Sequence, residues 1–262
     1  MKKTFLCVAE MALWATSAIA NGVNNKIEVV VHRGANHIAP ENTVESAFAA
    51  LDNGADWMEL DVRMSKDSVF YNLHDGRLDR TTNGEGWIDH WLSEDIDTLD
   101  AGIWFSARFA GAKVPTITHM LDTLKGKCNF FFDVKPGTPI KRFVRMLREK
   151  GINPDNSFFW FADTCMLKEF VVEAPEMKIK VNALDVARIE FWKRMCRPSY
   201  IEIHVDVITP ELKRYCRENG IKIMAAIQEA SEDEYLRAIE LKPDLVNLDM
   251  PELFAWLLRE KK

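Results

Sequence analysis

Little cysteine, no surplus of positive charge and no long apolar run after the first twenty residues mark this 262-residue chain. Its five cysteines, none in a C-x-x-C pair, exclude a disulfide-dense miniprotein and give no support to a zinc knuckle or a thioredoxin motif. Basic residues number 34 against 40 acidic, a net charge of −6, whereas a generic nucleic-acid binder shows a basic surplus. An anionic substrate is still compatible with that balance, since a few local Arg, Lys or metal sites suffice to hold one. Beyond residue 20 no apolar stretch approaches the ~20 residues that cross a bilayer, which excludes a polytopic membrane protein. Internal repeats, charge blocks and linkers are absent too. What is there, 47% hydrophobic and 28% charged residues, is ordinary globular composition, and the length allows one large domain or two small ones.

The first twenty residues stand apart. Met1-Lys2-Lys3 is basic, Phe5 to Ile19 is mostly apolar, and Ala18-Ile19-Ala20 supplies the small-x-small pattern of a signal-peptidase site. Glu10 opposes insertion, and a retained amphipathic helix is the competing reading. The tripartite pattern predicts a leader cleaved after Ala20 and therefore a periplasmic or secreted protein with no transmembrane segment in its mature chain. No lipobox precedes Cys7. The other cysteines, Cys128, Cys165, Cys196 and Cys216, read as scattered small apolar thiols, although an exported chain would permit disulfides.

After Asn25, short apolar runs alternate with helical patterns. Strands are predicted at Glu28–His32, Trp57–Val62, Val69–His74, Asn129–Lys135, Ser157–Phe161, Lys178–Asn182, Tyr200–Val205, Lys222–Ile227 and Leu245–Leu248. Helices are predicted between them, as at Thr43–Asn53, Thr138–Lys150, Pro210–Asn219 and Glu232–Leu241, with Thr209 as an N-cap before Pro210. Only Ser65-Lys66-Asp67-Ser68 separates the second run from the third, too few residues for a parallel crossover, so the third folds back as a hairpin. Eight strands then remain, the number that closes a (β/α)8 TIM-type barrel, an α/β fold of ~250 residues. The barrel spans 26–262 as one domain, and residues 76–115 form a Gly- and Trp-rich insertion expected to overhang its active face.

Reactive residue types gather at the predicted strand ends. His32 and Arg33 close the first strand, where barrel enzymes hold their chemistry. Glu59 and Asp61, two apart on one strand, share a face and would repel each other unless a cation lies between them. Asp133 and Lys135 repeat that alternation on the next parallel strand, and hairpin pairing about 65–68 sets His74 opposite Glu59. Hard oxygen ligands favour Ca2+ or Mg2+ over zinc. Taken singly, these groups read as solvated strand faces or as a surface ion pair worth ~0–1 kcal/mol; their convergence on one barrel end favours a site. His37, His90 and His119 lack partners in the sequence, and His204 reads as structural.

The segments His32-Arg33-Gly34, Pro40-Glu41-Asn42-Thr43, Glu59-Leu60-Asp61-Val62, Leu73-His74-Asp75, Leu78 to Gly84, Asp100-Ala101-Gly102, Trp104-Phe105, Val114-Pro115-Thr116 and Asp133-x-Lys135 occur in order between residues 29 and 135. In these the chain resembles the glycerophosphodiester phosphodiesterase family of the phospholipase C-like phosphodiesterase superfamily. The resemblance implies metal-dependent hydrolysis of a small glycerophosphodiester to glycerol 3-phosphate and an alcohol, without nucleic acid as partner. It implies His32 and His74 as the acid–base pair, Glu59, Asp61 and Asp133 around Ca2+ or Mg2+, Arg33 and Lys135 on the phosphate, and Glu41 and Asn42 in support. In the family mechanism a glycerol hydroxyl attacks first, and water then opens the cyclic phosphate. Three departures stand out. Asp133 is one methylene shorter than the family's usual Glu, and is expected to reach the ion through water or to leave it to Glu59 and Asp61. Ile223 to Ile227 lacks the Trp-Thr pair of the substrate cleft, and Leu248-Asp249 replaces Thr-Asp. Asp133-x-Lys135 also resembles the sphingomyelinase D branch, so the alternatives are a lyase that stops at a cyclic phosphate and a non-catalytic phosphodiester-binding barrel.

Overall fold

A computed structural model describes residues 26–229 and 231–261; the predicted leader and its cleavage point lie outside the described residues. In chain order the elements are β1 (Glu28–Val31), α1 (Val44–Asp52), β2 (Trp57–Met64), β3 (Phe70–Asn72), α2 (Ser93–Ile96), α3 (Ile117–Leu124), β4 (Asn129–Val134), α4 (Ile140–Glu149), β5 (Ser157–Phe161), α5 (Thr164–Glu173), β6 (Lys178–Asn182), α6 (Val186–Lys193), β7 (Pro198–His204), α7 (Pro210–Glu218), β8 (Lys222–Ile227), α8 (Glu232–Leu241), β9 (Leu245–Leu248) and α9 (Pro251–Glu260). All strands but β3 are parallel, and β1 pairs with both β9 and β2, which closes the (β/α)8 barrel.

The strands read as nearly continuous apolar runs because both of their faces are buried. Residues such as Val31, Leu60, Phe132, Phe159, Ile201, Ile223 and Val246 pack outward under the helices. Val30, Trp57, Phe131, Phe158, Tyr200, Met224 and Leu245 fill the lumen, with Phe131 stacked on Phe158 at 4.6 Å between ring centroids. Each aromatic ring withdrawn from water here stabilises the fold by roughly 1.5–3 kcal/mol. In the next layer of the lumen β2, β4, β6, β7 and β9 present Glu59, Asp133, Lys180, Glu202 and Asn247, while β5 and β8 present Trp160 and Ala226. The period of two therefore aims polar side chains at the C-terminal mouth above a dry plug.

The hairpin forms, one residue out of the expected register. Val62 pairs with Asn72 and Met64 with Phe70, so the line of pairing sets His74 opposite Leu60 rather than Glu59. The cause is a longer turn: Ser65 N donates to Val69 O at 2.9 Å, and Ser68 adopts φ +68° inside it. A one-residue slip normally swaps the faces of a strand. Here the last backbone bond of the pairing runs from Leu73 N to Asp61 O at 3.1 Å, Asn72 Oδ1 accepts Asp61 N at 2.9 Å, and His74 is held separately by Arg63, which donates to its carbonyl at 2.8 and 3.1 Å.

Residues 76–115 carry α2, short 3-10 turns at Ile88–His90 and Ala107–Phe109, and a small core of Leu78, Ile88, Ile96, Leu99 and Val114 packed with Tyr71. Arg80 reaches Glu41 at 2.7 and 2.8 Å, and Arg108 donates to Ile38 O at 3.3 Å, which pins the segment to the β1–α1 loop. No described helix is long and apolar enough to cross a membrane. All four described cysteines are free thiols; Cys196 and Cys216 are buried and Cys165 is exposed.

Candidate active site

The end of β1 is shaped by backbone conformation. Arg33 sits at φ +58° and Gly34 at φ +79°, and a Cβ on Gly34 would lie 2.3 Å from Ser46 Oγ. Only glycine allows α1 to approach that closely. The turn aims Arg33 N at Glu59, where it donates to Oε2 at 2.8 Å. Above it, Arg33 Nη1 lies 3.4 Å from Glu41 Oε1, and the buried Nε, 3.7 Å from Asp61 Oδ2, pairs with that charge without a hydrogen bond. A guanidinium with an unspent N–H is suited to an anionic ligand.

His32 pairs through Nδ1 with Asp249 Oδ1 at 2.8 Å. The same oxygen accepts Asn36 Nδ2 at 2.6 Å, while Oδ2 accepts Glu229 N at 2.9 Å. Burial alone would lower the His32 pKa, but the Asp249 hydrogen bond and the nearby Glu59 and Asp249 charges outweigh it and leave the imidazole raised. Sequence reasoning gave Asp249 no role. The signs of it were a carboxylate just past the last strand and the aspartate that Leu248-Asp249 shares with the family's Thr-Asp pair, and barrel closure, with Val31 beside Leu248, brings it next to His32.

His74 repeats the arrangement with a local partner, Asp75 Oδ1, at 2.8 Å from its Nδ1. Asp75 Oδ2 accepts Arg80 Nε at 2.6 Å, and Arg80 also holds Glu41, so a chain of polar contacts runs from His74 to Arg33. Burial dominates at His74 and lowers its pKa in spite of Asp61 nearby. In both histidines Nδ1 is committed to a carboxylate, and Nε2 has no hydrogen-bond partner among the described residues.

Between the histidines, ligand oxygens of Glu59, Asp61 and Asp133 lie within 4.8 Å of one another. Asp61 is fully buried; Asn42 Nδ2 donates to its Oδ2 at 2.8 Å, and Lys135 Nζ sits 2.5 Å from its Oδ1. Burial would raise the Asp61 pKa, but Lys135, His74 and Arg33 hold it well below the usual carboxylate range. Glu59 takes the opposite course, pushed up to about 8 by burial and by the Asp61 charge. Burial also raises Asp133, whose Oδ1 is buried without a donor, as is Asn42 Oδ1. Orphaned acceptors beside a carboxylate that cannot hold its charge are what a hard divalent cation relieves, so the residues fit such an ion. Lys135, expected on a phosphate, bridges Asp61 and Asp133 at 2.5 and 2.6 Å.

The remaining residues divide plainly. His37, His90 and His119 are exposed and away from this cluster. His204, Asp206 and Glu234 form a second, exposed grouping, already occupied: His204 Nδ1 accepts Asp206 N, Arg237 pairs with Asp206 and Ser231 with Glu234. Of the alanines in place of the cleft Trp-Thr pair, Ala225 packs outward under the helices and Ala226 lines the mouth.

A model of the glycerophosphoryl diester phosphodiesterase family matches residues 32–164, about half the chain. A glycerophosphodiester phosphodiesterase of Caldanaerobacter subterraneus is 31% identical over 247 residues, covering 90% of this chain and 99% of the relative. One of Bacillus subtilis is 30% identical, over 88% and 81%. The crystal structure of a glycerophosphodiester phosphodiesterase from Agrobacterium tumefaciens superposes with a TM-score of 0.80 at 36% identity, over 88% of this chain and 100% of that one. An Oleispira antarctica phosphodiesterase in complex with the product sn-glycerol-3-phosphate, at 24% identity and a TM-score of 0.78, shares the fold.

Proposed function

Because this chain belongs to the glycerophosphoryl diester phosphodiesterase family and hydrolyses glycerophosphodiesters, we propose that it does so with His32 and His74 as a proton-transfer pair astride a divalent cation. The carrying observation is the matched state of the two imidazoles: each is fixed at Nδ1 by an aspartate, leaving Nε2 to exchange the proton. The shifts divide the labour. His32, raised, holds a proton for the leaving alkoxide; His74, lowered, is neutral near pH 7 and takes one from the attacking hydroxyl.

Arg33, whose Nε is unspent, meets a non-bridging phosphate oxygen, and Lys135 keeps Asp61 and Asp133 apart while adding positive charge beside them. Glu59, Asp61 and Asp133 would hold Ca2+ or Mg2+, which supplies further charge to the non-bridging oxygens when bound. Glu41 and Asn42 are positioning residues, the first on Arg33 and the second on Asp61. Overall, water adds across one P–O bond and yields glycerol 3-phosphate and the free alcohol.

Purified protein incubated with a glycerophosphodiester and Mg2+ or Ca2+ is expected to release glycerol 3-phosphate, with loss of turnover in EDTA and in His32→Ala. Turnover that survives both would overturn the mechanism. Export through a leader cleaved after Ala20 belongs to the same proposal, supported by the tripartite pattern of residues 1–20, and mass spectrometry of the mature N-terminus tests it.

A further inference from the structure

A cavity of about 670 Å³ opens between the C-terminal ends of β6, β7 and β8, across the barrel from the carboxylates, and the proton transfers do not use it. Its volume is in the ordinary range for small-ligand pockets, ~300–1,000 Å³. Glu202 closes the floor, and its carboxylate is spent: it pairs with buried Lys180 and accepts Gln228 Nε2 at 3.1 Å and Asn247 Nδ2 at 2.8 Å. The groups above it keep capacity. Asn182 Oδ1 accepts Lys180 Nζ at 2.9 Å and the side chain retains its amide N–H groups, while Gln228 retains its carbonyl oxygen. Asp185 uses one oxygen to cap α6, accepting Arg188 N at 2.7 Å, and retains the other. The Arg188 guanidinium has no ion pair or hydrogen bond among the described residues, and stacks 4.5 and 5.0 Å from the Phe191 and Trp192 ring centroids, which fix its position.

Continuity with the chemistry runs through the turn after β8. Gln228 lines the cavity, and the next residue, Glu229, donates its amide to the Asp249 carboxylate that holds His32. The turn after β8 thus joins the cavity wall to the carboxylate that orients His32. No Trp, Tyr or Phe lines it, its one ring is the His204 imidazole, engaged by Asp206 N and Glu234, and Ala226 leaves its wall open.

We propose that this cavity receives the leaving alcohol and selects one rich in hydroxyl groups, of the glycerol or inositol class, over choline, with Arg188 and Gln228 as the selecting residues. The inference rests on the phosphodiesterase reading above. A polyol gives hydroxyl donors to Gln228 and Asp185 and oxygen acceptors to Arg188 and Asn182. A quaternary ammonium supplies neither: the Arg188 charge repels it, it makes no hydrogen bond to Arg188, Asn182 or Gln228, and its one favourable partner among these groups is the Asp185 carboxylate. Sites that hydrogen-bond a hydroxyl discriminate strongly against analogues lacking it.

The test is kcat/KM for glycerol 3-phosphate release, with Mg2+ present, from glycerophosphoinositol, glycerophosphoglycerol and glycerophosphocholine. A polyol diester is expected to exceed the choline diester by at least ~10-fold. Arg188→Ala, Arg188→Lys and Gln228→Ala are each expected to shrink that ratio toward one, chiefly through KM on the polyol diesters. Equal or better turnover of the choline diester, or variants that lower all three substrates in parallel, would overturn the selection. Absence of glycerol 3-phosphate from all three would instead overturn the hydrolytic reading, and the selection with it.

Discussion

Replacing Asp249 by asparagine isolates the carboxylate that orients His32. Its two oxygens serve three donors: His32 Nδ1 at 2.8 Å, Asn36 Nδ2 at 2.6 Å and Glu229 N at 2.9 Å. An amide keeps one oxygen. If that oxygen faces His32 and Asn36, the new NH2 meets the Glu229 amide donor to donor; if it faces Glu229, the NH2 confronts His32 Nδ1 and forces the proton to Nε2. Either way a charge-assisted bond worth ~1.5–3 kcal/mol is lost and the imidazolium loses its counter-charge. At ~1.4 kcal/mol per tenfold, the bond alone accounts for ~10–100-fold in rate, and misdirected proton transfer carries the expected fall in kcat to ~100-fold or more. KM should stay within a few-fold, because buried Asp249 acts through His32. The pH profile adds a second readout. Asp249 helps to raise His32, and the protonated form is the one that works, so its removal should move the alkaline limb of kcat to lower pH. A folded Asp249→Asn protein with kcat within threefold of the parent and an unmoved alkaline limb would refute the reasoning.

Four further perturbations follow from the same geometry. Asp133→Asn leaves Lys135 one carboxylate fewer and is expected to weaken Ca2+ and Mg2+ binding alike, whereas Asp133→Glu, one bond longer, should favour Ca2+; calorimetric titration compares them. In metal-free protein Glu59 is protonated below about 8, so a cation must expel that proton; apparent metal affinity should rise with pH up to that value and flatten above it, with proton release visible in buffers of different ionisation enthalpy. Arg80→Ala frees Asp75 and Glu41 together and should lower kcat/KM by ~10-fold, while stability, read by denaturant titration, changes by less than about 1 kcal/mol because the bridge is partly exposed. Gly34→Ala forces a Cβ to within 2.3 Å of Ser46 Oγ at φ +79° and should cost about 3 kcal/mol in the same measurement.

The barrel was legible because each strand is buried on two faces, so that runs such as Phe130-Phe131-Phe132 stand out by length and apolarity alone. Glu59, Asp61 and Asp133 were legible through the period of two, which needs no knowledge of tertiary structure. The hairpin register was not, because whether Ser65 closes the turn with Ser68 or with Val69 depends on a positive φ that no apolar pattern encodes. Asp249 was hidden for a different reason. Its partner lies 217 residues earlier, and only the closing register of β1 on β9 brings them together. Lys135, read from the sequence as a phosphate ligand, also lies between the Asp61 and Asp133 carboxylates, a contact that residue type alone does not spell out.

The separation of the two halves of the mouth bears on how such a protein diversifies. Every group placed around the phosphorus except Asp249 comes from residues 32–135, whereas the cavity draws on residues 182–228. Substitutions at the ends of β6, β7 and β8 share no partner with Glu59, Asp61 or His74, so their effects on rate should add to those of changes in the first half rather than compound them. A lineage can then exchange one alcohol for another without re-optimising proton transfer. One contact through which the two halves constrain each other is the hydrogen bond from Glu229 to Asp249, and another is the pull of the Lys180 charge, itself held by Asn182 and Glu202 of the cavity, on Asp133.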